Sequence, residues 1–220
     1  MASMLNTTGV APGLGSDMVA LVQKDGSFGH GWRQDRALLA GSESARNLAD
    51  IVHHMAVLHG RHPGLVDLAG GGDILGAVQT RIIRGFAQER DFLARLVVAV
   101  GPLPATPGHA FSQAAILGQR HALETLAHSD RAGCASGAVA ALLMDWAAIR
   151  PVLDAAAVRF GLDPVPMLLP DPASLAATID AVETDAGLSR AIGFGVRQFL
   201  LQHRGLWDLL EVRAHARRHG

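Results

Sequence analysis

The chain has 220 residues, 49% of them hydrophobic, which is enough for one sizeable core. A net charge of −1 leaves no basic excess to neutralise phosphates, so nothing in the charge supports a nucleic-acid partner. Lys24 is the only lysine and Cys134 the only cysteine, so a Walker-type phosphate loop and an internal disulfide are both excluded.

Residues 1–16 are small, uncharged and broken by glycine and proline, and are expected to form a poorly ordered tail. The tail lacks the basic start and apolar core of a secretory signal. The lone cysteine, in an apolar run of small residues, reads as a buried inert thiol in a reducing compartment. Met18–Val22 is β-prone and Asp25-Gly26 is a turn signal, so a short hairpin or extended arm is expected before residue 42. The arm, 1–41, is set apart from a helical domain over 42–220.

From Ser42 the period becomes helical. Ala45, Leu48, Val52, Met55 and His59 recur at three and four, and Gly60 with Pro63 ends the run. The glycine triplet 70–72 breaks the chain, and Asp73 is placed to cap a helix reaching about Val100. Its stripe is Leu75, Val78, Ile82, Phe86, Leu93, Leu96 and Val100. After a loop with three prolines, helices are expected over 109–129 and 130–161, the second kinked at Pro151. An irregular connection, GLDPVPMLLPDP, precedes C-terminal helices at about 172–186, 188–203 and 205–218. Long amphipathic helices with short loops read as an all-α antiparallel bundle, with a central part over 42–160 and additional C-terminal helices over 172–218. Gly133, Gly137 and Ala141, at i, i+4 and i+8, make a seam that another helix backbone could approach closely. The apolar run from Cys134 to Met144 is too short to span a bilayer. A soluble, cytoplasmic chain with no membrane span follows, and the bias to arginine and alanine suits a GC-rich bacterial genome.

Three groups of residues carry candidate chemistry. His121, Glu124 and His128 fall at i, i+3 and i+7 of one helix face. Those donors suit zinc or iron, a hydrogen-bonded network, or a solvated helix end. Glu89 lies between Ile82, Phe86, Leu93 and Leu96 on an apolar stripe, and Asp145 does the same between Leu142 and Ile149. A carboxylate in such a place is costly unless paired. The two are expected to face inward, where they could meet His121 or Arg120 as a structural ion pair or as a perturbed functional group. Glu89 with His121 could serve as a metal-free acid–base pair. Third, Asp50, His54, His59 and His62 lie in a histidine-rich stretch, either as a cluster with Asp50 orienting His54 or as capping and loop residues at a helix end. The C-terminal DLLEVRAHARRHG is basic and amphipathic, as a partner- or membrane-surface helix can be, and cations also suit any helix C-terminus.

A bundle with inward acids and histidines resembles the ferritin-like superfamily over about residues 42–160. The resemblance implies a di-iron centre built from Glu-x-x-His pairs. The glutamates here, Glu43, Glu89, Glu124, Glu183 and Glu211, are followed three residues later by Arg46, Phe92, Ala127, Ala186 and Ala214, so no such pair exists. The nearest pattern, His121-x-x-Glu124, is reversed. With no catalytic motif in the chain, the expectation is a non-enzymatic module of an uncharacterised bacterial family that binds a small ligand or protein partner or forms a homo-oligomer, the homodimer first. A metal-dependent oxidoreductase is the alternative.

Overall fold

Alanine, leucine and methionine fill residues 134–159 with almost no charge, and such a stretch is stable as a helix only when surrounded by others. In the computed structural model, which describes residues 13–69 and 73–219, this stretch is the central helix of an all-α bundle. The elements in order are α1 (Leu14–Asp25), a 3-10 turn (Ser27–Gly29), α2 (Gly31–Gln34), α3 (Arg36–Leu39), α4 (Ser44–His59) and α5 (Leu65–Leu68). A second 3-10 segment (Asp73–Val78) leads into α6 (Gln79–Val100), followed by α7 (His109–Ala127), α8 (Cys134–Arg159), α9 (Pro172–Asp180) and α10 (Ala186–His219). There is no strand among the described residues.

The 134–159 helix, α8, packs against α10, α4, α7, α1, α9 and α6. Among the described residues it is the one helix long and apolar enough to cross a membrane, and 83% of its most apolar window is buried inside the bundle. It begins at Gly133, whose φ of 86° only glycine adopts readily, and continues through Pro151. Proline there leaves the Ala147 carbonyl without its helical donor. One residue on, Arg33 Nε donates to the Ala148 carbonyl at 2.9 Å.

The small-residue seam is filled from within the chain. A β-carbon on Gly137 would fall 2.3 Å from the Ile192 carbonyl oxygen, and one on Gly195 would fall 1.9 Å from that of Cys134. The two longest helices therefore meet backbone to backbone, and α10 is the helix the seam accommodates. A motive for self-association is removed with it.

Several local expectations are corrected. The arm before residue 42 is helical rather than a hairpin: Met18 and Val22, four apart, bury one face of α1, which lies on α9, α8 and α10. Burial of that face outweighs the β-propensity of the run. The tail over 1–16 falls largely outside the described residues, although α1 already begins at Leu14, and the glycine triplet 70–72 is outside them too. The long helix expected from Asp73 starts as a 3-10 segment and becomes α only at Gln79. The helix expected over 172–186 stops at Asp180, and those over 188–203 and 205–218 are one helix, α10. Gly205 does not break it. The missing side chain there makes room for α7, since a β-carbon would lie 2.9 Å from Gln119 Nε2.

Candidate functional site

Asp145 points from α8 at the turn that follows α1. It is fully buried. The turn reaches it because residue 26 is glycine: a β-carbon there would fall 2.4 Å from Asp145 Oδ1. Ser27 then binds the carboxylate with its backbone N–H at 2.7 Å and its hydroxyl at 2.6 Å. Trp207 Nε1 donates to the same hydroxyl at 2.8 Å, so Ser27 Oγ both accepts and donates. From the other side His203 Nδ1 donates to Asp145 Oδ2 at 2.7 Å, and the two histidine Nε2 atoms of His203 and His59 are 2.8 Å apart.

Only one hydrogen can lie between those Nε2 atoms. Burial, then the nearby His203 and Arg90 charges, hold His59 well below the usual histidine pKa, so it is neutral. Either His59 donates to a neutral His203, or a charged His203 donates to His59 and Asp145 together. Both arrangements leave an unbroken line Trp207–Ser27–Asp145–His203–His59. Its far end is closed by aromatic rings, Trp146 at 5.6 Å and Phe86 at 6.3 Å from His59. At its middle member, Asp145, the line adjoins a pocket of about 220 Å³. Asp145 forms part of that wall, with Val22, Phe28, Met144 and Ala148 as apolar surface and Arg33 as the cation. Arg33 lies over the Phe28 ring at 5.2 Å. Burial lowers its pKa and Asp145 opposes that shift.

The expected meeting of Glu89 and Asp145 with His121 does not occur. Glu89 is also fully buried, but it is held by Trp146 Nε1 at 2.8 Å and Arg150 Nη1 at 2.7 Å. Burial raises its pKa, and those two donors oppose the rise. Arg150 also binds Asp154 Oδ1 at 2.9 Å and the Val165 carbonyl, and lies 4.4 Å over the Phe92 ring. Glu89 and Asp145 thus belong to separate clusters on α6 and α8, each complete without the other.

His121 and His128 are exposed, and Glu124 pairs at the surface with Arg120 at 3.4 Å and Arg61 at 3.9 Å. His128 Nδ1 lies 2.8 Å from the Glu124 carbonyl, as in an ordinary helix end. The face carrying these residues looks outward. Among the described residues no three histidine, cysteine, aspartate or glutamate side chains gather closely enough to hold a metal ion. The donors that zinc or iron, or a ferritin-like di-iron centre, would need are not brought together.

The histidine-rich stretch divides into separate contacts. Asp50 faces α10, where Arg213 and Arg217 bind its carboxylate. His54 Nδ1 binds the Asp50 backbone carbonyl at 2.7 Å, not its side chain. His59 joins the Asp145 line, and exposed His62 lies against Asp67 at 3.4 Å and Arg90 at 3.4 Å. Ser27, His203, Trp207, Arg150 and Arg213 were not singled out in the sequence. His203 could have been: it sits between Phe199, Leu206 and Leu210, the same polar-on-apolar-stripe signal that marks Glu89. Ser27 carries no such signal, because the glycine-rich DGSFGHG reads as a turn wherever it packs.

No curated protein and no solved structure matches the chain. Residues 22–218 match the model of a family of unknown function, DUF6975, and the chain belongs to that family.

Proposed function

We propose that the chain is a non-enzymatic helical module that binds a small, mainly apolar molecule in the pocket beside Asp145. The observation that carries this reading is the pairing of a built polar floor with apolar walls. Of the line only Asp145 borders the pocket, and Ser27 and His203 fix it from behind, so that polar part of the wall is rigid before any ligand arrives. Arg33 spends Nε on the Ala148 carbonyl, and its Nη atoms make no hydrogen bond to the described residues, which leaves donors for an acceptor on the ligand. Behind Asp145, Ser27 donates its hydroxyl proton to the carboxylate and accepts from Trp207 Nε1. Ser27 is fully buried and does not line the pocket, so its hydroxyl holds Asp145 in place rather than meeting a bound molecule, which favours binding over turnover.

The test is a fragment screen by amide NMR, with Ala148→Trp to fill the pocket. Ligands that move the amides of Val22, Phe28 and Ala148 in the wild type, and lose binding in the folded variant, support the reading. Binding that survives Ala148→Trp overturns it. Self-association is a second reading. Phe194, Leu201 and Val212 are exposed and lie seven and eleven residues apart on one face of α10. Light scattering across a concentration series decides it: a single monomeric mass throughout removes this reading.

A further inference from the structure

A second pocket lies between α4, α7 and α10, and its chemistry differs from that of the Asp145 site. Asp50 is 1% exposed and receives Arg213 through Nε at 3.0 Å and Nη2 at 2.8 Å, and Arg217 through Nη1. One carboxylate thus faces two guanidiniums, both almost completely buried and both permanently charged. Pro104, Thr106 and Asn47 supply further acceptors, but they are neutral. The C-terminal carbonyls of α10 offset part of the surplus near Arg217, in the last turn. Arg213 lies a turn further in, and its Nη1 has no acceptor although it is shielded from water. A buried guanidinium nitrogen without a partner is costly and uncommon.

Arg213 forms part of the wall of a pocket of about 120 Å³. His53, His54, His109 and Ser112 line it too, and no carboxylate does. His53 Nε2 is held by the Gly101 carbonyl at 2.8 Å and His54 Nδ1 by that of Asp50 at 2.7 Å, so both rings are fixed in place. Burial lowers the His54 pKa, and Arg213 adds to that effect; Arg213 is the one permanently charged side chain of the wall. Val57, Leu103 and Ile116 complete the enclosure with hydrocarbon. At about 30 Å³ for each water displaced, the volume corresponds to about four waters, the bulk of a short-chain molecule. We propose that this pocket binds a small monocarboxylate, its carboxylate received by Arg213 Nη1 and its short apolar chain by Val57, Leu103 and Ile116. A phosphate or sulfate dianion would face those hydrocarbon walls with most of its oxygens unsatisfied.

Butyrate is the probe, followed through the imidazole signals of His54 and His109 by NMR on the full chain. The expected result is a saturable shift, absent with butan-1-ol and not displaced by equimolar inorganic phosphate. Val57→Phe fills the pocket without touching the Asp50 ion pairs, and should abolish the shift while the remaining spectrum stays native. Arg213→Lys should weaken binding at least tenfold. That variant tests charge geometry, and because it can disturb folding the Val57→Phe result stands independently of it. No saturable shift with butyrate overturns the proposal. So does equal binding of butan-1-ol, displacement by phosphate, or a site that persists in Val57→Phe. None of these residues lines the Asp145 pocket, so failure here leaves the other site untouched.

Discussion

Helix α8 takes part in two fully buried carboxylate clusters through the adjacent residues Asp145 and Trp146, and the two are satisfied in opposite ways. Trp146 and Arg150 turn toward Glu89 and give it a permanent cation. Asp145 turns toward α10 and the 3-10 turn and receives a hydroxyl, an amide and an imidazole. The Glu89 cluster is balanced at any pH at which the carboxylate is ionised. The Asp145 cluster has no arginine: beside the fixed amide it is balanced by a hydroxyl whose proton can rotate and an imidazole whose proton can move. The first behaves as a fixed brace between α6 and α8, and the second borders a pocket. The difference suggests where the molecule has room for function: charge fixed by arginine locks register, whereas hydroxyl and imidazole leave a site that can respond to a neighbour.

The brace is the costlier of the two to break. Arg150→Met should destabilise the fold by about 3–5 kcal/mol, because Glu89 would remain buried with only Trp146. Pairing it with Glu89→Leu should recover much of that loss, since the buried acid then disappears. Denaturant unfolding of the two variants measures both steps. If the single and double variants fell equally, the Glu89–Arg150 pair would not be what joins the helices.

On the Asp145 side the costs are smaller and distributed. Gly26→Ala places a methyl 2.4 Å from Asp145 Oδ1 and 2.4 Å from the Val22 carbonyl, so the turn must withdraw. A loss of about 1–3 kcal/mol is expected, typical of overpacking in a tight site. Ser27→Ala keeps the backbone N–H on Asp145 but leaves Trp207 Nε1 without its acceptor, for about 1–2 kcal/mol. Trp207 reports this directly: its fluorescence should shift in Ser27→Ala and stay native in Arg150→Met under folding conditions.

The pH dependence separates the clusters further. His59 titrates below the usual value in the fold, so the unfolded chain binds its proton first as pH falls. Stability from this group is therefore complete above about pH 6.5 and declines below it, by about 1.4 kcal/mol per pH unit while the folded ring stays neutral. His54, lowered for the same reason, adds to that slope. Glu89 works in reverse. Its folded pKa is raised, so its contribution is greatest below the unfolded carboxylate value and is lost as pH rises through the folded one. His59→Gln should reduce the slope between pH 6.5 and 5, and Glu89→Gln should leave the His59 part of it intact. Urea midpoints at four or five pH values resolve the two.

The same two clusters show how far the sequence could be read. Periodicity located α4 and α6, because each buries a stripe that recurs at three and four, and helix formers between breakers located α7 and α8. It also marked Glu89 and Asp145, since a charge inside such a stripe stands out wherever the helix packs. Their partners were not legible. Ser27 is 118 residues from Asp145 and Arg150 is 61 from Glu89, so each pairing depends on how whole helices are arranged. The N-terminal arm failed for a related reason: a β-prone run became α1 once α8, α9 and α10 offered it a surface.

The smallest expected effect concerns the residues the sequence made most conspicuous. His121, Glu124 and His128 share a helix face by spacing, but spacing does not say whether that face looks inward. It looks outward, and both histidines are exposed. His121→Ala should therefore change stability by no more than about 0.5 kcal/mol, as surface substitutions do. It should also leave the metal content of protein purified without chelator as it was. Elemental analysis and a thermal melt of the same preparation measure both. Stoichiometric zinc or iron that vanishes with His121 would mean that a second chain completes the face, and the outward histidines would then belong to an interface.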